Sequence, residues 1–152
     1  MKSATITGHR NIGPKSTKRV WTAAATLLRN LTVDQIYIGG ASGVDTEFLK
    51  AALHHRVGDR PRIIVVVPDT VERQPISTRA WTRRADEVIE LQEPITPDNK
   101  YLSYLIRNKY IVDRGTFLVA FFNGSFRSGT GQAINYAKKL GKSVYTIPVS
   151  LE

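Results

Sequence analysis

The sequence predicts an α/β protein of three layers, helix on sheet on helix, around a mostly parallel central sheet. Three observations predict it. Short apolar runs of strand length alternate with amphipathic stretches of helical period. One run, Ile63 to Val67, is apolar without a break, as a strand buried on both faces must be. Gly-rich segments follow two of the runs and lead into helical patterns, the punctuation of strand–loop–helix units.

The elements follow in order. Ala4 to Thr7 reads as a strand ending at Gly8. Pro14 to Asn30 reads as a helix with Pro in its first turn and Val20, Trp21, Ala24, Leu28 and Leu31 on one face. Gln35 to Ile38 is a strand ending at Gly39-Gly40. Asp45 to Arg56 is a helix with Phe48, Leu49, Ala52 and Leu53 inward. Arg62 to Val67 is a strand that Pro68 ends. Ile76 to Arg84 reads as helical, its Arg79, Arg83 and Arg84 forming either a lid or a solvated face. Asp86 to Leu91 reads as a short strand, and Pro94 and Pro97 mark a loop. Asn99 to Arg114 is a helix with Leu102, Leu105, Ile106 and Tyr110 on one side. Thr116 to Phe122 is a strand. Gly131 to Leu140 is a helix stopped by Gly141, and Ser143 to Ile147 is the last strand, closed by Pro148.

Composition bounds the function. At 152 residues the chain is expected to form one domain, residues 1–152, with a single core. No apolar run approaches the roughly 20 residues of a membrane span. The first residues run straight into a strand pattern, so no signal peptide is expected and the expected location is cytoplasmic. Cys is absent, which excludes disulfides, thiolate metal sites and a Cys nucleophile. His9, His54 and His55 lack metal-ligand spacing, so no metal is expected. Lys and Arg outnumber acids 22 to 13, for a net charge of +9. No acid precedes Asp34, and only Glu152 follows Asp113. Basic ends of this kind suit nucleic acid or phosphorylated ligands, and they also suit a merely solvated surface.

In a parallel sheet, ligands bind at the carboxyl ends of the strands, so the loops there carry the candidates. Gly8-His9-Arg10 follows the first strand: Gly8 allows close approach, and Arg10 can grip phosphate bidentately. Gly39-Gly40-Ala41-Ser42-Gly43-Val44-Asp45 follows the second. Free N–H groups of Gly39, Gly40, Ser42 and Gly43 at a helix start suit an anion. Asp45 either caps that helix or accepts from a ribose hydroxyl. On this reading a bulky residue at Gly43 abolishes binding and leaves the fold intact. A third loop, running from Asn123 to Gln132, offers Ser128, Gly129, Thr130 and Gly131 as a second cradle. Arg107 and Asn108 precede the strand from Thr116; they face solvent, hold a ligand or brace the loops. Gly8 to Ser16 imitates a P-loop, but Pro14 intrudes between Gly13 and Lys15 and removes an N–H from the cradle. Pro68-Asp69 likewise imitates a metal-holding strand end with a Pro interposed.

Taken together, these residues resemble the SLOG superfamily, which joins DprA/Smf proteins, LOG cytokinin-activating enzymes and YpsA/YspA-like domains. The matching pieces are Thr7-Gly8-His9-Arg10, Gly39 to Asp45, Arg107-Asn108 with Ile111-Val112-Asp113, and Ser128-Gly129-Thr130 with Ala133 to Ala137 and Gly141-Lys142. They stand in the family's order over residues 4–147, and the YpsA/YspA-like branch looks closest. The resemblance implies a Rossmann-like domain that binds a nucleotide or phosphorylated ribose derivative, ADP-ribose-like, with no other cofactor assigned. It also implies possible homodimers, for which the amphipathic Asn99–Arg114 helix offers a face. DprA-like relatives instead bind single-stranded DNA, a reading the basic ends and Tyr101, Tyr104, Phe126 and Trp81 would serve. LOG enzymes carry a Glu after their Gly-Gly-x-Gly-Thr loop; here Gln132 to Asn135 hold no acid, which leans against catalysis. Cleavage of a glycosidic bond needs a carboxylate by the sugar, for which only Asp45 and Glu47 stand near the loops.

Overall fold

The computed structural model describes residues 1–30 and 33–152. Its elements run β1 (Ser3–Gly8), α1 (Pro14–Asn30), β2 (Gln35–Gly39), α2 (Val44–His55) and β3 (Arg62–Val67). A 3₁₀ turn (Val71–Arg73), α3 (Ile76–Thr82), β4 (Glu87–Glu90) and α4 (Lys100–Arg114) follow. The chain closes with β5 (Phe117–Phe122), α5 (Gly129–Lys139) and β6 (Ser143–Pro148). The six strands form one sheet in the order β4-β3-β2-β1-β5-β6, every pair parallel. β1 lies at the centre, with Ile6 abreast of Ile38 in β2 and of Val119 in β5.

Side chains alternate across the sheet as the strand period requires. Ile6, Ile36, Ile38, Val65 and Phe121 point to one face and pack with Val20 and Ala24 of α1 and Phe48 and Leu49 of α2. Leu118 and Ala120 point to the other and meet Ala133 and Ile134 of α5, while Ile64 and Val66 meet Ile111 of α4. Ile63 to Val67 are buried throughout, as the unbroken apolar run requires. Removing a fully buried side chain here, such as that of Ile6, should cost about 2–5 kcal/mol.

Two helix faces differ from expectation. In α1 the buried apolar row is Val20, Ala24 and Leu27; Leu28 is only half-buried, and Leu31 lies outside the described residues. In α4 the buried row is Ser103, Arg107, Asn108, Ile111 and Val112, whereas Leu102 is 54% exposed. Apolar periodicity missed the most buried row because that side of the helix is largely polar; Leu105, Ile106 and Tyr110 of the expected face are half-buried, Tyr110 packing at the edge of the core. The helix of the third loop starts two residues early, at Gly129. Arg79 Nε donates to Gln74 O at 2.8 Å, Arg83 pairs with Glu72 at the surface, and Arg84 lies over the Trp81 ring. The imitation P-loop is filled by the chain itself: Gly13 N–H donates to Ser150 O and Lys15 N–H to Glu152 O. No helix among the described residues is long and apolar enough to cross a membrane.

The order reverses at β1, where the chain adds β2 and β3 on one side and β5 on the other. Connections leaving opposite faces of a sheet part at such a point and leave a crevice outside the strand ends. The candidate loops sit there.

Candidate functional site

A cavity of about 470 Å³ occupies this crevice. The loop after β1 forms one lip with Gly8, His9 and Arg10, the start of α5 a second with Gly129 and Thr130, and α4 the wall with Tyr101, Tyr104 and Arg107. Ala41 and Asp45 close the floor.

Each lip has a local cause. His9 is fixed to the end of β5: its Nε2 accepts the Asn123 N–H at 3.0 Å, and its ring stacks on Phe122 at 6.0 Å. Burial lowers the pKa of His9 below its ordinary value, so the neutral acceptor form is favoured. Arg10 reaches across to α4, its Cζ 3.8 Å from the centre of the Tyr104 ring. On the α5 side, Ser128 Oγ accepts the Gly131 N–H at 3.0 Å and donates to Ser125 O at 2.6 Å. Ser128 is thus the N-cap, and the Gly131 N–H is committed to it. The uncommitted first-turn donors are those of Gly129 and Thr130, for which a helix has no internal partner.

The floor is charged and buried. Asp45 and Arg107 are 4% and 6% exposed. Both converge on Gly39: a Cβ there would stand 2.3 Å from an Arg107 guanidinium nitrogen and 2.6 Å from Asp45 Oδ2, so any side chain there would displace both groups. Asp45 is not the helix cap; that position is Gly43, and Asp45 Oδ2 instead accepts the Ala41 N–H at 3.2 Å. Burial pushes the Asp45 carboxyl above its usual range, opposed by Arg107, the Ala41 N–H and Arg10. Burial pulls the Arg107 guanidinium the other way, and Asp45 opposes that. Arg107 is held by Asn108 Oδ1, which accepts from its Nε at 2.9 Å. Asn108 Nδ2 in turn lies 3.5 Å from Gly129 O. The pair braces α4 against the start of α5 from a buried position and does not face solvent.

The remaining candidates lie elsewhere. Gly43 has φ +78° and ψ −128°, and a Cβ on it would stand 2.2 Å from Arg10 O. It seats the β1 loop, whose His9 O accepts the Val44 N–H at 3.0 Å, and lies off the cavity wall. The expectation that a bulky residue there leaves the fold intact is therefore overturned. Gly40 and Ser42 face a smaller side cavity, and Gly40 O accepts from Gln74 Nε2 at 2.9 Å. Glu47 is not brought to the crevice: its carboxylate accepts from Trp21 Nε1 at 3.2 Å and pairs with Lys50 at 3.5 Å. Of the two carboxylates, only Asp45 stands on the crevice floor. Trp81 lies under Lys50 and Arg84, and Phe126 packs on Phe122. Pro97 and Lys100 also line the crevice and carried no sequence signal as site residues.

The model of the DNA recombination-mediator protein A family matches residues 1–152. The chain belongs to that family. Among solved structures, DNA processing protein A from Helicobacter pylori, described for its single-stranded DNA binding mode, shares 23% identity. The match covers 99% of this chain and 67% of that one, with a TM-score of 0.74. The DprA structure from Streptococcus pneumoniae shares 20% over 99% of this chain and 52% of its own, with a TM-score of 0.78. A molybdenum cofactor binding protein from Rippkaea orientalis shares 16% over 99% and 78%, with a TM-score of 0.70. At these identities the likeness establishes the fold alone, and the DprA-family chain spans about half the length of the pneumococcal protein. No curated protein matches its sequence.

Proposed function

We propose that this DprA-family domain binds single-stranded nucleic acid and seats one nucleotide of the strand in the crevice. The observation that carries the reading is the Arg10–Tyr104 stack, which stands across the same cavity from the open first turn of α5. The Gly129 and Thr130 N–H groups and Arg10 would take a phosphate. Tyr101, 57% exposed, and Tyr104 would offer ring faces to a base. The net charge of +9 would draw the strand in. Fluorescence anisotropy with a labelled single strand and its duplex, across a salt series, tests this. Preference for the single strand is expected, with affinity falling steeply as salt rises. Equal binding of duplex, or no binding at low salt, overturns it.

A second reading is a sensor of a free nucleotide, ADP-ribose-like, as in the YpsA/YspA-like branch. The buried Asp45 on the floor favours it, as an acceptor for a ribose hydroxyl. A volume of about 470 Å³ also suits a small-molecule ligand. A nucleotide at 100 times its Kd would then stabilise the protein by about 2.7 kcal/mol with little salt dependence.

A further inference from the structure

The crevice has a side branch. A cavity of about 60 Å³ opens beside it and shares Arg10, Ala41, Tyr104 and Arg107 as walls. Its far wall includes Asp69, just past the end of β3. Asp69 is 7% exposed, and its Oδ2 is buried without a hydrogen bond among the described residues. Arg73 Nε stands 3.3 Å from that oxygen but is not aligned to donate, and the Arg73 side chain is 65% exposed. The charge has a partner; the hydrogen bond has none. A buried acceptor in that state is costly to leave so. Three polar groups of its wall are already committed. Gln74 Nε2 donates to Gly40 O, Gln74 Oε1 accepts from Thr82 Oγ1, and the Ala41 N–H is given to Asp45.

From this we infer that Asp69 is a specificity site: its carboxylate accepts from an N–H or O–H donor carried by the nucleotide in the crevice. The inference rests on the nucleic-acid reading above. An ionised carboxylate only accepts, so it favours a donor and repels a carbonyl at the same place. The branch has room for a donor-bearing edge and not for a second nucleotide. Cytosine presents an amine where thymine presents a carbonyl oxygen. The donor therefore comes from the base amine or from a ribose hydroxyl, and the two sources are separable.

The test is the affinity of the whole chain for oligo-dC, oligo-dT and oligo-rC of equal length, near neutral pH and at fixed salt. Wild type is expected to bind oligo-dC about tenfold or more tightly than oligo-dT. Asp69→Asn, whose amide can donate as well as accept, should bring that ratio towards one. If the donor is the ribose hydroxyl, oligo-rC exceeds oligo-dC and Asp69→Asn removes that gain, which equally supports the inference. Equal wild-type affinity for all three overturns it while leaving the nucleic-acid reading intact. So does a preference that Asp69→Asn does not alter. If no strand binds wild type, the proposed function falls and the inference falls with it. If the variant does not fold, equal wild-type affinities still overturn the inference, and Asp69→Ser in its place tests whether a preference depends on the carboxylate.

Discussion

Arg10 and Tyr104 tie the loop after β1 to α4: the guanidinium carbon stands 3.8 Å from the ring centre. Arg10 is otherwise exposed, so the contact should contribute about 0.5–1 kcal/mol to stability. Its larger expected role is charge. Arg10→Ala should lower Tm by no more than about 4 °C. It should weaken single-strand affinity and make the salt slope shallower by about one phosphate. An unaltered slope would mean that Arg10 engages no phosphate.

Gly43→Ala should destabilise the fold itself. The backbone there lies in a region open to glycine, and a Cβ would collide with Arg10 O. The conformational cost alone is about 1–3 kcal/mol. Tm should drop by roughly 2–12 °C. A melting curve matching wild type would show that the loop relaxes without strain.

Ser128→Ala removes the cap of α5 and leaves the Gly131 N–H without its acceptor. The expected loss is about 0.5–2 kcal/mol in chemical denaturation. Ser128→Asp, which can cap equally well, should restore most of it. Equal losses in both variants would argue that the cap contributes nothing.

His9 sets a pH dependence. Its folded pKa lies below the ordinary imidazole value, so the unfolded chain binds the proton more readily. Stability should therefore be unaffected by His9 above about pH 6.5, and should decline as pH falls below it. His9→Gln retains an acceptor for the Asn123 N–H and should flatten that part of the Tm-versus-pH curve. A slope that survives the substitution would place its origin elsewhere.

The order of elements was legible because period and punctuation agreed: apolar strands ended at Gly or Pro, and helices followed. The crevice lips were legible for the same reason, since Gly8 to Arg10 and Gly129-Thr130 sit at strand ends. What sequence could not show was direction. Arg107 turns inward where Gly39 leaves space for its guanidinium, and Asn108 follows it to reach Gly129 O, both facts of tertiary packing. Glu47 turns towards Trp21 although it stands only two residues from Asp45. Asp69 looked like part of a failed metal motif, and only the folded chain brings it beside Arg107 and Tyr104. Ser128 looked like a substituted loop glycine and proves to be a cap.

The His9–Asn123 hydrogen bond has a kinetic consequence. It ties the loop after β1 to the end of the neighbouring strand β5, so the His9 lip is already in place when a ligand arrives. Capture should then be a single bimolecular encounter, with an observed rate that climbs in proportion to ligand concentration and reaches no plateau. Cutting the tie, as in His9→Ala, should introduce a concentration-independent phase, the time that lip takes to settle.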